Sequence, residues 1–273
     1  MKKNKTVLLS VPYILWMLVF TLIPLGVVGY YALTDPDTGA FTWANLAQLG
    51  TYLPVFGRSV GYSLVSALLC LLLGYPVAYY IAHRGPLAQK LLYMLVMLPM
   101  CMSFLLRTLA WVGLLQDTGI INNFLESLGL ARVSLIRTPG AVVLGMVYNY
   151  LPYMILPLYA IIVKIDNRLI EAAEDLGCTP VQTFTKVVLP LSMPGIVSGV
   201  TMVFVPAVST FYISQKLGGT EMLIGDVIER MFKQGNNPNL GAALSLILMI
   251  LVFVCTGIMN KLTDSDGEDK VVV

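Results

Sequence analysis

The chain has 273 residues, 57% of them hydrophobic and only 12% charged, with a mean hydropathy of +0.80. An ordinary soluble domain is roughly 45–50% apolar and about 25% charged, so a water-soluble fold of this size could not hide the surplus, and lipid must solvate much of it. The formal net charge of +2 comes without any basic block, which excludes a nucleic-acid footprint.

The chain starts MKKNK and then runs apolar from about residue 7 to 33. No small-residue cleavage site follows at a suitable distance, so the run reads as a retained first span rather than a signal peptide. Five further stretches are long enough to cross a hydrocarbon core of about 30 Å: 60–82, 91–115, 139–163, 195–214 and 240–260. The expected architecture is an all-α integral membrane protein of six transmembrane helices, with 1–273 forming a single transmembrane domain.

Lys2, Lys3 and Lys5, together with Arg84 and Lys90 in the short 83–90 loop, favour N- and C-termini in the cytoplasm. Pro12, Pro24, Pro76, Pro99, Pro152, Pro157 and Pro206 interrupt spans; each marks either a moving, cavity-lining segment or a bend that membrane helices simply tolerate. Gly195 and Gly199 permit close helix approach, against either a partner or the chain itself.

Cys70, Cys101, Cys178 and Cys255 lie far apart without a C-x-x-C pair and read as small buried hydrophobes, not as a disulfide framework or metal site. His83 reads as a solvated interfacial residue. Arg107 is the one charge inside a span. It is expected to bond backbone carbonyls freed near a kink or to reach outward.

The connection 164–194 is too polar to span and too rich in helix signals to be passive. Asn167 is placed to cap a short helix ending at Leu176, with Glu171, Glu174 and Asp175 on its wet side and Ala172, Ala173 and Leu176 available to pack. Gly177 suits a positive-φ stop, and Thr179-Pro180 supplies a cap and a first-turn proline for a second helix. Pro190 and Pro194 are expected to close the element before the next span. The product is a helix, a sharp turn and a helix, a shape suited to a cleft in a soluble partner.

Glu171-Ala172-Ala173, three residues, Gly177, nine residues, Val187, one residue, Leu189-Pro190 resembles the EAA signature (E-A-A-x3-G-x9-I-x-L-P) of permease subunits in binding-protein-dependent ABC importers. Val187 stands where that pattern has Ile, a replacement of one β-branched apolar residue by another. The resemblance implies a type I ABC importer (MetI-like) permease fold in a bacterial inner membrane. It also implies that Glu171, Ala172, Ala173, Gly177, Cys178, Thr179, Pro180, Leu189 and Pro190 form the coupling contact with an ATP-binding subunit.

The sequence has no G-x-x-x-x-G-K-[ST] loop, so no cofactor is expected in this chain. ATP and Mg would be bound by the partner ATPase. The implied assembly is two permease subunits, a heterodimer by resemblance, two ATP-binding subunits and an external solute-binding protein.

Segments 73–82, 144–162, 169–184, 189–196 and 223–228 look like the first permease subunit of spermidine/putrescine importers, which implies a polyamine cargo; another small charged solute is the alternative. A polycation calls for aromatic faces and a few carboxylates. Phe211 and Tyr212 are candidates for an external gate, Trp111 and Tyr148 for the path, and Asp117 and Glu229 for weaker attraction of cations. An interfacial aromatic belt is the competing reading, above all for Trp111. An ion-coupled secondary transporter is disfavoured, since no Asp or Glu lies inside a predicted span.

Overall fold

The computed structural model describes residues 11–36, 38–234 and 237–268, with side chains to 261. Lys2, Lys3, Lys5 and Lys270, and the start of the first span, lie outside the described residues. Six helical stretches are long and apolar enough to cross a membrane: Val11–Ala32, Ala44–Ala82, Phe104–Ser127, Pro139–Ile162, Pro180–Val208 and Pro238–Lys261.

Eleven helices are named here. They are α1 (Val11–Ala32), α2 (Leu53–Ala82), α3 (Pro86–Met97), α4 (Phe104–Leu115), α5 (Ile120–Ser127) and α6 (Pro139–Ile162), then α7 (Asn167–Asp175), α8 (Pro180–Val208), α9 (Tyr212–Leu217), α10 (Ile224–Lys233) and α11 (Pro238–Glu268). They fall into two compact units.

The first unit holds residues up to 54 and 227–251. Here the end of α1 meets the start of α11: Ala32 is buried with Ala242 and Ala243, and the Thr34 carbonyl accepts the amides of Asn45 and Asn239 at 2.9 and 2.6 Å.

The second unit, residues 55–226 and from 252 on, is organised around α6, half of whose residues are buried. Small residues let neighbours close on it. A Cβ on Gly74 of α2 would sit 3.1 Å from Met154, one on Gly145 2.6 Å from Leu217 of α9, and one on Gly199 of α8 2.6 Å from Met154 Sδ. Gly195 faces Ile161 and the Pro157 carbonyl at 3.2 Å. The Gly195/Gly199 pair therefore serves packing within the chain, along the α6–α8 interface, the most extensive pairing in the fold.

α2 follows the same inverted logic. Ser59, Ser63, Ser66, Ala67, Cys70, Gly74 and Ala78 are buried, while Leu64, Leu68 and Leu72 are exposed at helical spacing. In lipid, leucine gains nothing by hiding, and small residues gain close packing. The buried hydroxyls satisfy themselves locally, as Ser63 does by donating to the Ser59 carbonyl at 2.7 Å.

Three expectations need correction. The stretch 91–115 is not one helix: α3 ends in a tight turn over Leu98–Cys101, Met102 and Ser103 are extended, and α4 starts at Phe104. Leu98 before the proline keeps helical angles, and the chain passes through Pro99, which supplies no N–H, in a tighter 3-10 turn before it turns extended at Met102.

Second, Pro190 and Pro194 do not close the polar element. The helix that starts at Pro180 continues to Val208. A π-turn at Phe184–Val188 absorbs the strain, with the Leu189 N–H reaching back five residues to Phe184. The proline at 190 would clash with the carbonyl four residues before it in a regular helix, and the wider turn moves that carbonyl away. The same device precedes Pro24, where Ile23 N–H reaches Leu18. Third, the span expected to reach 214 stops at Val208, because the backbone breaks at Ser209–Phe211 before α9 begins.

Candidate functional site

Two regions at opposite ends of the α6–α8 pair carry the candidate residues. The first is the turn between α7 and α8. Asp166, not Asn167, caps α7: its carboxylate accepts the Arg168 N–H at 3.0 Å. The shorter reach of the residue one position earlier places its oxygen on the free N–H groups of the first turn.

At the other end of α7, Gly177 has φ +83°. Its N–H bonds the Glu174 carbonyl at 2.9 Å, and the Cys178 N–H bonds the Ala173 carbonyl at 3.0 Å. This pair of bonds defines a Schellman turn. Thr179 and Gln182 then form a reciprocal capping box, with Pro180 in the first turn of α8.

Ala173 is buried against the start of α8, whereas Ala172 and Leu176 are exposed. Leu176, available to pack, is 87% exposed, and Val181 across the turn is 72% exposed. The turn is too short to fold a side chain at its apex back onto the chain. Glu171, Glu174 and Asp175 surround this apolar tip with carboxylates and are exposed, as expected. Cys178 is half-buried; Leu189 and Pro190 sit past the π-turn, inside α8.

The base of α8 is fixed to α2. Phe184 packs edge-on against Tyr75 and Tyr79, with centroids 5.5 and 6.1 Å away, and the Tyr75 and Ser192 hydroxyls are 2.8 Å apart. These ties were not read from the sequence, where Tyr75 and Ser192 are 117 positions apart.

The second region lies at the far end of α8. Its 29 residues cover about 43 Å at ~1.5 Å each. Beyond Val208, Ser209, Thr210 and Phe211 leave the helix. Gly225 makes room for this break: a Cβ there would lie 2.5 Å from the Thr210 carbonyl and 2.7 Å from that of Ser209. The first free N–H groups of α10 are taken by Ser59 Oγ at Ile224 (2.8 Å) and by buried Asp226 at Leu223 (2.9 Å).

Around the break the structure gathers several of the expected residues. Tyr212 is half-buried, its ring 6.3 Å from that of Phe104, and Lys216 Nζ lies 5.7 Å from the Tyr212 centroid. Phe211 is exposed. Trp111 and Tyr148 meet edge-to-face at 5.4 Å, both half-buried. Asp117 lines a cavity of about 480 Å³ with Gln116, Arg137, Gln215 and Lys216. Two cations there oppose its charge. Glu229 belongs to the first unit and pairs with Lys233.

Arg107 does not behave as expected. It is 6% exposed, and Nε and Nη1 have no hydrogen-bond partner. The kink at Pro99 offers it no carbonyls, since Met102 N–H and Cys101 Sγ take those of Pro99 and Met97. Removing a buried guanidinium with two unsatisfied nitrogens relieves about 1–3 kcal/mol. Arg107→Met in the detergent-solubilised chain is therefore expected to raise the melting temperature by roughly 2–12 °C, at ~2–4 °C per kcal/mol. A fall would mean that the guanidinium is satisfied after all.

Cys70 is buried as expected, but Cys101 is exposed, because the turn at Pro99 points it away from the core. Among the described residues no group of three or more His, Cys, Asp or Glu side chains is placed to hold a metal ion.

The chain is similar to the spermidine/putrescine transport system permease protein PotB of Salmonella typhimurium (strain SL1344), with 38% identity over 247 residues, 87% of this chain and 86% of that one. It is equally similar, at 38% over 266 residues and 93% of each chain, to the protein of the same name from Haemophilus influenzae. Among solved structures, a chain of a bacterial ABC transporter that imports the acidic polysaccharide alginate superposes with a TM-score of 0.74 at 20% identity, covering 96% of both chains. That likeness supports the fold. Residues 71–265 match the model of one family, and with the two relatives they place the chain in it: it belongs to the binding-protein-dependent transport system inner membrane components.

Proposed function

We propose that this chain is the permease subunit of an ATP-driven importer for polyamines, spermidine and putrescine among them. It forms half of a translocation pathway and is coupled through residues 167–190 to an ATP-binding subunit that holds ATP and Mg. The observation that carries the reading is identity of 38% across 93% of the chain to a permease whose name states that cargo. In the proposed assembly a second, different permease subunit completes the pathway, two ATP-binding subunits drive it, and an external binding protein delivers the solute. The coupling turn and both termini face the cytoplasm.

The geometry supports a mechanical route. The apolar tip at Leu176 and Val181, ringed by acidic residues, offers a contact that nothing among the described residues covers. Because α8 is continuous from that turn to the break at Ser209–Phe211, movement at one end is carried to the other as rigid-body motion, not lost in a loop. The break is where Phe211 and Tyr212 would open and close the outer end of the path. The ring face of Tyr212, already approached by the Lys216 ammonium, suits a substrate ammonium. Asp117 and Glu229 contribute less, each being beside cations.

The cargo is tested by identifying, with mass spectrometry, the solute retained by the cognate binding protein, and by uptake of labelled spermidine and putrescine in the assembled complex. A polyamine in the first and saturable uptake in the second are expected; an anionic or neutral solute would refute the cargo. Tyr212→Ala is expected to reduce uptake roughly 3- to 30-fold, the range for a lost cation–π contact, with surface expression unchanged. Unaltered uptake would remove Tyr212 from the path.

A further inference from the structure

Arg107 lies inside a membrane-crossing stretch, Phe104–Ser127, and is 6% exposed. We infer that it is a selectivity residue of the translocation path, whose fixed positive charge keeps small cations from leaking through the resting importer. The inference rests on Trp111, Tyr148 and Tyr212 being path residues, as proposed above, and not on the identity of the cargo.

Position is the first reason. Phe104, Arg107 and Trp111 are spaced by three and four residues, so they share one face of α4. The ring of Phe104 lies 6.3 Å from that of Tyr212, and Trp111 meets Tyr148 edge-to-face at 5.4 Å. Arg107 therefore stands between the two aromatic pairs that mark the path, about one helical turn from each. Its charge also reaches the Tyr150 hydroxyl, which donates to the Pro206 carbonyl at 3.3 Å, shortly before the break at Ser209–Phe211.

The second reason is that the charge stands without a counter-ion. No ion pair found among the described residues involves Arg107, and its Nε and Nη1 have no hydrogen-bond partner. The sequences of α2, α4, α6, α8 and α9 contain no Asp or Glu at all. In a medium of low dielectric constant such a charge is felt over several ångströms. A cation moving between Tyr148 and Tyr212 comes within that range and is repelled; an anion is not.

The third reason is that the charge has no structural return. A buried arginine ordinarily clamps a carboxylate or gathers carbonyls, and nothing found among the described residues gives Arg107 either task. Arginine also keeps its charge on burial where lysine readily gives it up, which is what a permanent barrier needs. A fixed cation beside a narrow pore excludes protons and cations from water channels by the same electrostatics. The barrier opposes a cationic cargo too, but uptake is driven by ATP, whereas a leak has only the ion gradient behind it.

The test uses the complete importer reconstituted in liposomes loaded with potassium chloride, without ATP or binding protein. Efflux of K⁺ and of Cl⁻ is measured separately, with a protonophore present to carry the balancing charge. Wild type should hold both ions. Arg107→Met should release K⁺ roughly 30-fold faster, the factor for removing a unit charge about 8 Å away at an effective dielectric constant of about 20, with Cl⁻ efflux unchanged. Thr108→Val, which alters a buried side chain of the same helix but no charge, should stay as tight as wild type. An Arg107→Met importer that holds K⁺ as well as wild type overturns the inference; because neither polyamine nor binding protein takes part, that result leaves the importer reading standing. Equal rises in K⁺ and Cl⁻ efflux overturn it as well, by assigning Arg107 to helix packing. So does a K⁺ leak of the same size in Thr108→Val.

Discussion

Gly177→Val is expected to abolish ATP-driven uptake, by tenfold or more, while the chain still folds and reaches the membrane. The residue has φ +83°, and a Cβ built on it would meet nothing within 4 Å, so the obstacle is conformational and not steric crowding by neighbours. A β-branched residue in the left-handed region costs about 1–3 kcal/mol. That is small against the stability of a whole domain, but it falls on a turn held by two backbone bonds, Gly177 to Glu174 and Cys178 to Ala173. Abandoning the turn re-aims α7, and with it Leu176, away from the groove proposed to receive it. Asn tolerates positive φ far better, so Gly177→Asn should keep most of the activity. Uptake by intact cells, normalised to membrane-inserted protein, checks both; full activity in the valine variant would show that the turn's geometry is dispensable.

Gly199→Leu is expected to have the largest effect on stability. α8 approaches α6 so closely that a Cβ at this position lies 2.6 Å from Met154 Sδ, 3.2 Å from the Met154 carbonyl and 3.4 Å from Pro157 Cγ. Met154 can swing away, but it is buried among core neighbours, and the backbone carbonyl cannot move without separating the helices. Overpacking of this kind costs about 1–3 kcal/mol. The melting temperature should fall by roughly 2–12 °C, at ~2–4 °C per kcal/mol, with less protein in the membrane. Gly199→Ala should show a smaller drop. Gly113→Leu, at an exposed helical position where a Cβ meets nothing within 4 Å, should show none. A Gly199→Leu chain as stable as the parent would contradict the α6–α8 packing described here.

What could be read in advance was governed by range. The stop at Gly177 and the start at Thr179-Pro180 are decided by residues within four positions of each other, and the structure forms both as the residues dictate. The composition likewise foretold six membrane-crossing stretches. Prolines were misjudged where their effect depends on what surrounds them. Pro99 breaks its helix; Pro190, equally capable of it, is absorbed by a π-turn because α8 is clamped to α2 through Phe184 and Ser192 and to α6 through Gly195 and Gly199. No local pattern distinguishes the two cases. The break at Ser209–Phe211 has a weak signal, two hydroxyl residues following Val208, but the partner that accommodates it is Gly225, outside the predicted span.

The sequence marks Leu176 only as available to pack, and the chain itself leaves it almost wholly exposed at the apex of the turn. A leucine in that position is wasted on a free chain and useful in a complex, burying of order 2 kcal/mol of apolar surface when a partner covers it.

The coupling claim is tested most directly there. A single cysteine at position 176, placed by Leu176→Cys in a chain without its other cysteines, should crosslink to the ATP-binding subunit of the intact importer. The yield should change between nucleotide-free and ATP-bound states. Crosslinking that never captures that subunit, or labelling of position 176 from outside the cell, would contradict the account.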